Sequence, residues 1–293
     1  MSDITPASGS SAPDGSASAG FGPAWSASLA RVPEAQLREW LAFALDACDI
    51  ADEIALRHFR RDLDLERKPD RSFVTIADQG IEREIRDRIT ARYPAHGLVG
   101  EEYGTEAGDA VTRWYIDPID GTHNYIRGIP LFGTLLAVEH AGELQVGVIS
   151  APAMRERWFA YRGGGAWNRG LDGERRLRVS RVATVEDSQL LFGSGRDTAD
   201  SGLMPGFDAL LRAAWRERGF GEFWGYALVA EGAAEAMFET GMKSWDLAAP
   251  TVVIEEAGGR VTDVLGERRI DAPSFVGSNG LLHDELLARL RAG

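Results

Sequence analysis

The chain has 293 residues, of which 44% are hydrophobic and 26% are charged, and its formal net charge is −13. These values are ordinary for a globular protein with a sizeable core, and no apolar run approaches the roughly 20 residues that span a bilayer. The acidic balance excludes a typical nucleic-acid-binding surface, which needs clustered lysine and arginine, so neither nucleic acid nor membrane is an expected partner. Cys48 is the only cysteine, which excludes an intrachain disulfide and a cysteine-based zinc site.

The N-terminal segment differs in composition from the rest of the chain. Residues 1–30 are rich in Ser, Ala, Gly and Pro, and they predict a disordered tail. No basic segment followed by an apolar one marks a secretory signal, so a cytoplasmic protein is expected. Residues 31–293 are predicted to form the folded part, as two lobes with a boundary near residue 185.

The predicted elements begin with a helix after Pro33, where apolar residues recur at helical spacing to about residue 60. A second helix is predicted after Thr75–Asp78. Short strands are expected at Gly97–Val99 and Arg113–Ile116, and a hairpin joins residues 134–140 to 145–150.

The second half of the chain mixes both kinds of element. Strands are predicted at 157–161, 177–179, 189–192 and 236–239, and helices at 207–218, 226–234, 244–257 and from about 279 onward. Paired helices, runs of strands and then alternation predict a layered α/β fold rather than a regular doubly wound one.

Acidic residues occur where these strands end and helices begin, namely Asp78, Glu101, Glu102, Asp117, Asp120 and Asp246. Carboxylates that converge on one place repel one another, and a divalent cation is the usual compensation. Ligand sets made only of oxygen favour Mg²⁺, Mn²⁺ or Ca²⁺.

The most specific of these segments is Asp117-Pro118-Ile119-Asp120-Gly121-Thr122. Two aspartates three residues apart on a stiff turn can flank metal ions, and the Ile119 carbonyl can add a hard oxygen. Gly121 and Thr122 can offer backbone N–H groups to a phosphate where a helix begins.

Three separated motifs resemble the inositol monophosphatase superfamily: Asp117–Asn124, Gly100-Glu101-Glu102, and Trp245-Asp246-Leu247-Ala248-Ala249 followed by Glu256-Ala257-Gly258-Gly259. The resemblance covers about Leu37 to Leu290. Within the superfamily the chain is most similar to the actinobacterial-type histidinol-phosphate phosphatases, through segments that include Lys68-Pro69-Asp70, Tyr125–Pro130, Leu228–Ala233 and Gly280–Glu285.

The resemblance implies an αβαβα sandwich, a homodimer and two to three Mg²⁺ ions. By motif match, the metal ligands would be Glu101, Asp117, the Ile119 carbonyl, Asp120 and Asp246. Asp78 and Thr122 would form a pair that activates the attacking water, with Glu101 as a further catalytic residue at a weaker third ion. Gly121 and Thr122 would bind the phosphate.

The implied reaction is hydrolysis of a small phosphate monoester, with L-histidinol phosphate of histidine biosynthesis as the favoured substrate. Glu222, Trp224 and Glu239 are predicted to bind the alcohol half, since an acidic group and an aromatic face suit an ammonium and an imidazole. His123 is predicted to contact the substrate, with a cap of the short helix as the alternative. Glu222 and Lys243 differ from the residues expected for the histidinol type.

The alternative substrates are inositol 1-phosphate and other small phosphate esters on which members of the superfamily act. Bisphosphates are disfavoured, because the sequence shows no evident cluster of basic residues for a second phosphate. A catalytically idle metal-binding protein is the alternative from another class. A dehydrogenase and a kinase are disfavoured because the dinucleotide glycine fingerprint and the Walker loop are absent from the sequence.

Overall fold

The computed structural model describes residues 32–61, 65–67, 73–108 and 111–292. The predicted disordered tail and the segment Lys68-Pro69-Asp70 lie outside these residues. No helix in the described ranges is long and apolar enough to cross a membrane.

The described ranges contain helices that occur singly or in pairs between the strands. They are α1 (Glu34–His58), α2 (Ile76–Arg92), α3 (Thr122–Ile126), α4 (Gly195–Asp200), α5 (Met204–Ala213), α6 (Glu222–Glu231), α7 (Ser244–Glu256) and α8 (His283–Arg291), with a 3₁₀ turn at Val185–Asp187.

The strands form two large sheets and a small hairpin. The hairpin pairs β1 (Leu65–Arg67) with β2 (Phe73–Thr75). The first large sheet contains β3 (Gly97–Gly100), β4 (Gly104–Glu106), β5 (Thr112–Asp120), β6 (Gly133–His140), β7 (Glu143–Ala151), β8 (Glu156–Tyr161), β9 (Gly165–Gly170) and β10 (Gly173–Arg176), in the order β10-β9-β8-β7-β6-β5-β3-β4. The second contains β11 (Gln189–Phe192), β12 (Arg216–Arg218), β13 (Ala236–Thr240), β14 (Arg260–Thr262) and β15 (Ser274–Ser278), in the order β12-β11-β13-β15-β14.

The layers alternate as helix, sheet, helix, sheet and helix, which is the predicted αβαβα sandwich. One apolar cluster joins α1 and α2 to the outer face of the first sheet. A second fills the space between the two sheets around α6 and α7, and a third joins α5 and α8 to the far face of the second sheet. Each sheet is therefore covered on both faces, which explains why its inner strands are almost continuously buried, whereas the short strands β4, β10 and β12 are largely exposed.

Helix α7 is the central element, because it packs against both large sheets. Its residues from Leu247 to Ile254 are all buried, so its sequence has no polar face. The backbones of α7 and β7 approach closely at Gly147, where an added Cβ would lie 2.5 Å from the Ala249 carbonyl oxygen. This close approach places the first turn of α7, with Asp246, next to the ends of the first sheet.

Sequence predictions of local structure are wrong at one strand and at several helix boundaries. Leu177–Val179 is not a strand: Leu177 N donates to Ala166 O and Val179 N to Ala257 O while the chain leaves the first sheet. Instead, β9 and β10 form a hairpin that the sequence did not indicate.

Helix α6 covers Glu222–Glu231 rather than 226–234, and the boundaries of α5 and α8 differ as well. Helix α5 ends at Ala213 and not at Arg218, because Arg216–Arg218 pairs with β11 as an edge strand. Helix α8 begins at His283 rather than near Asn279, since the Asn279 side chain accepts hydrogen bonds from Leu281 N and Leu282 N in a turn before the helix. The chain crosses between the large sheets from Arg176 to Gln189, and the division into two lobes near residue 185 stays a prediction.

Candidate active site

A cavity of about 830 Å³ collects nearly all of the predicted site residues. It lies where β5 and β13 end and where α3, α6 and α7 begin. The predicted residues that line it are Glu101, Asp117, Ile119, Asp120, Gly121, Thr122, His123, Glu222, Glu239 and Asp246. Asp78 is fully buried behind this wall, close enough for its charge to raise the pKa of Asp117.

A bulge at the end of β5 brings its two aspartates to the same cavity. In the pairing with β6, Asp117 is opposite Leu135 and Asp120 is opposite Gly133, so β5 has one residue more than its partner. Residues three apart on a regular strand point to opposite faces, and the extra residue removes that alternation. The Thr134 hydroxyl donates to the Pro118 carbonyl at 2.9 Å and anchors the bulge.

Asp120 is oriented by the first turn of α6. The Phe223 amide donates to Asp120 Oδ2 at 2.5 Å. The residue before it, Glu222, has a φ of 60°, a left-handed conformation that a non-glycine residue adopts at an energetic cost. This strained conformation directs a helix-start N–H group at the aspartate.

Asp78 and Asp246 occupy equivalent places at the starts of their helices. Asp78 Oδ2 accepts from the amide and hydroxyl of Thr75, and Asp246 Oδ2 accepts from the Lys243 amide at 2.8 Å. Each is the third residue of its helix and caps the start with one carboxylate oxygen. The other oxygen of Asp78, Oδ1, is buried and has no hydrogen-bond partner.

Burial and mutual repulsion raise the pKa values of all four aspartates. The pKa of Asp78 rises to about 6 and that of Asp246 to about 7, in both cases mainly because burial disfavours the charged form. Asp117 and Asp120 are raised well above their usual range by burial first and then by neighbouring carboxylates. No ion pair among the described residues includes any of the four.

This environment fits a divalent cation with oxygen ligands. Asp117 Oδ1 is buried without a hydrogen-bond partner, like Asp78 Oδ1, so two polar atoms lack the compensation that buried groups normally have. Among the described residues no three Asp, Glu, His or Cys side chains are already spaced to hold a metal ion.

Thr122 does not contact Asp78 by a hydrogen bond in the described part of the chain. Its hydroxyl donates to the Ile119 carbonyl at 3.0 Å, while Thr75 supplies both hydrogen bonds to Asp78 Oδ2. Thr75 is thus a neighbour of the site, although the sequence indicated it only as the start of a helix.

The other side of the cavity carries a second group of acidic residues. Burial raises the pKa of Glu239 to about 8, and the Tyr226 hydroxyl donates to Glu239 Oε2. A Cβ at position 193 would lie 1.8 Å from Glu239 Oε1, so only glycine fits there. Burial raises the pKa of Glu222, while the charge of His123 opposes this shift.

Asp197 and Phe220 also line this side of the cavity, although the sequence did not single them out as site residues. Asp197 is in α4, and among the described residues its carboxylate has no hydrogen-bond or ion-pair partner. The sequence signal was Ser194 followed three residues later by an aspartate, a helix-start pattern that the structure confirms, with Ser194 Oγ accepting from Asp197 N. Phe220 lines the cavity, whereas Trp224, considered for an aromatic contact, packs against Phe220 at 4.7 Å between ring centroids.

Comparison with known proteins identifies the family of this chain. The model of the inositol monophosphatase family matches residues 36–292. The chain belongs to the inositol monophosphatase family. Members of this family are metal-dependent phosphatases that hydrolyse phosphate monoesters, so the chain is a phosphoric monoester hydrolase.

Similar curated proteins include two actinobacterial relatives. The histidinol-phosphatase of Mycobacterium tuberculosis is 43% identical over 86% of this chain and 98% of its own length. The histidinol-phosphatase of Streptomyces coelicolor is 40% identical over 83% of this chain and 93% of its own length. Among solved structures, the inositol monophosphatase of Thermotoga maritima has a TM-score of 0.78 at 32% identity, covering 87% of this chain and 97% of that one.

Proposed function

We propose that this chain is a Mg²⁺-dependent histidinol-phosphatase that converts L-histidinol phosphate to L-histidinol and phosphate. The observation that carries the proposal is the division of the cavity into two acidic parts. One part holds Asp117, Asp120 and Asp246, with Asp78 buried behind it, and the other holds Glu222, Glu239 and Asp197. The first part fits metal ions and the second fits a cationic alcohol.

Glu101, Asp117, the Ile119 carbonyl, Asp120 and Asp246 are the proposed ligands for two to three Mg²⁺ ions. Their oxygen atoms are hard ligands, which Mg²⁺ prefers. The chemistry that Mg²⁺ supplies when bound is neutralisation of the phosphoryl charge and a lower pKa for the attacking water.

The protein groups next to these ligands have separate roles. Gly121, with a φ of 82°, and Thr122 begin α3 and present backbone N–H groups to the phosphate. Asp78 Oδ1, which lacks a partner, is the proposed acceptor for the proton of the attacking water. Thr122 reaches the same water if its hydroxyl turns away from Ile119. Glu101 acts as a ligand and as a catalytic residue at the third ion.

The alcohol half of the substrate is proposed to lie against the second acidic group. L-Histidinol carries an ammonium and an imidazole, and the negative charge of these carboxylates complements both. Glu222, Glu239 and His123 line this part, and Phe220 offers a ring face. The identities of 43% and 40% to two histidinol-phosphatases support the same substrate.

Inositol 1-phosphate is the second candidate. A fructose-1,6-bisphosphatase/inositol-1-monophosphatase of Thermotoga maritima is 33% identical over 84% of this chain, and Glu239 can accept hydrogen bonds from sugar hydroxyls as well. The homodimer stays a prediction from the resemblance, and the cytoplasmic location stays a prediction from the sequence.

The test is phosphate release from L-histidinol phosphate and from myo-inositol 1-phosphate, measured side by side with Mg²⁺ and with EDTA. We expect a Mg²⁺-dependent preference for L-histidinol phosphate of at least about tenfold in kcat/KM, the ratio that roughly 1.4 kcal/mol gives. A preference for the inositol ester would replace the substrate and keep the metal site. Turnover that EDTA does not reduce would contradict the metal site itself.

A further inference from the structure

A buried ion pair on α2 holds the turn that carries Glu101. Glu82 is completely buried and Arg86, one helical turn later, is 6% exposed. Arg86 Nε donates to Glu82 Oε1 at 2.8 Å. Burying two charges has a desolvation cost that can exceed the Coulombic attraction between them, so stability alone does not explain this ion pair.

The hydrogen bonds of Glu82 to two backbone amides indicate a positioning role for the ion pair. Oε2 accepts from the Glu102 amide at 2.7 Å, and Oε1 accepts from the Tyr103 amide at 3.1 Å. These amides directly follow Glu101, a proposed metal ligand. Both oxygens of Glu82 are thus occupied, so it acts on the turn and is not itself a candidate ligand.

Arg86 holds the other end of the same turn. It donates to the Gly104 carbonyl and forms an ion pair with Glu106 at 3.0 Å. Tyr103 and the residues of β4 that follow it are exposed and have little apolar contact that would fix them. Besides the pairing of β4 with β3, polar contacts from α2 therefore hold the turn.

Gly100 shows how closely Glu82 fits. A Cβ at position 100 would lie 2.1 Å from Glu82 Oε1 and 2.9 Å from the Arg86 guanidinium. The glycine that precedes Glu101 is thus required by the ion pair, since its φ is not in the left-handed region.

We infer that Glu82 and Arg86 are positioning residues for the metal ligand Glu101, and that α2 links this ligand to Asp78. Asp78 and Glu82 are four residues apart and both are fully buried on the same face of α2. The helix therefore sets the distance between the proposed proton acceptor and the turn that presents Glu101. The inference rests on the proposed metal site.

The experiment measures Mg²⁺ binding to the metal-stripped full chain by calorimetry, without substrate. Glu82→Gln removes the charge that holds the turn, and Gly100→Ala displaces the same carboxylate from the other side. Glu84→Gln is the control, because it removes an exposed ion pair, with Arg88, from the same helix. Thermal unfolding of each metal-stripped variant reports its fold separately.

We expect the dissociation constant for Mg²⁺ to rise about 10- to 100-fold in Glu82→Gln and Gly100→Ala, the usual effect of losing a partner that orients a ligand. The control should bind like the wild type, and excess Mg²⁺ should restore turnover of the two variants. Wild-type Mg²⁺ affinity in either folded variant would overturn the inference, and Gly100→Ala decides alone if Glu82→Gln does not fold. A wild-type chain that binds no Mg²⁺ would instead contradict the proposed function.

Discussion

At the residue scale, the two acidic parts of the cavity differ in how their carboxylates are hydrogen-bonded. Asp117 and Asp78 each leave a buried oxygen without a partner, whereas Glu239 is held by the Tyr226 hydroxyl. Asp197 differs from these because it is exposed and lies on the rim beside Gly241 and Glu239. Its side chain can therefore be changed without creating a buried unpaired charge.

Asp197→Asn should test the recognition of a cationic alcohol. Loss of a charge-assisted contact of about 1 kcal/mol predicts a fall of roughly fivefold in kcat/KM for L-histidinol phosphate, mostly through KM. Turnover of myo-inositol 1-phosphate should stay unchanged, since that alcohol carries no cation. Asp200→Asn is the matched control, because Asp200 is exposed at the end of the same helix and does not line the cavity. An equal loss with both substrates would contradict a role in charge recognition.

At the scale of elements, the first turns of helices and the bulge in β5 position the carboxylates of the site. Helices α2 and α7 each begin with an aspartate that caps the helix and faces the other carboxylates, so local helix chemistry also positions functional groups. The place of α7 depends in turn on its contact with β7, where Gly147 lets the two backbones approach.

Gly147→Ala should destabilise the protein through this contact. The added Cβ would lie 2.5 Å from the Ala249 carbonyl, and such overpacking lowers the free energy of unfolding by about 1–3 kcal/mol. Chemical denaturation measures the change. Gly195→Ala is the control, because a Cβ at that position has no atom within 4 Å and its backbone is not left-handed. Equal stability of both variants would show that α7 can move away from β7 at little cost.

At the scale of the whole molecule, the two sheets and α7 enclose carboxylates whose pKa values are raised to about 6 for Asp78, about 7 for Asp246 and about 8 for Glu239. An acid with a higher pKa in the folded than in the unfolded chain binds more protons when folded. Its contribution to stability is therefore complete at low pH and is lost as the pH rises through the folded-state value.

The metal-free protein should thus become less stable between about pH 6 and about pH 8. A loss of about 2 kcal/mol would lower the melting temperature by roughly 5 °C in EDTA. Mg²⁺ binds the ionised carboxylates, so an excess of Mg²⁺ should remove most of this decline. Thermal unfolding at both pH values, with EDTA and with Mg²⁺, measures it. A melting temperature in EDTA that does not fall over this range would contradict the raised pKa values.

The sequence by itself determined those features that depend on neighbouring residues. The first helix is confirmed at Glu34–His58, and the helix after Thr75 and the long apolar helix after Lys243 begin where the sequence placed them, because caps and periodicity are local signals. The motif around Asp117 and Asp120 indicated a metal and phosphate site, and its resemblance, with two further motifs, to the inositol monophosphatase superfamily indicated a phosphatase.

Only the tertiary structure decided which distant groups share the cavity. The bulge of β5 exists in its pairing with β6, Asp197 joins the wall because α4 lies beside the end of β13, and Glu82 reaches the amides after Glu101 across a gap of about twenty residues. The hairpin of β9 and β10 and the end of α5 likewise follow from strand pairing. Such contacts join residues far apart in the chain, and their energy depends on the packing of the whole fold rather than on any local segment.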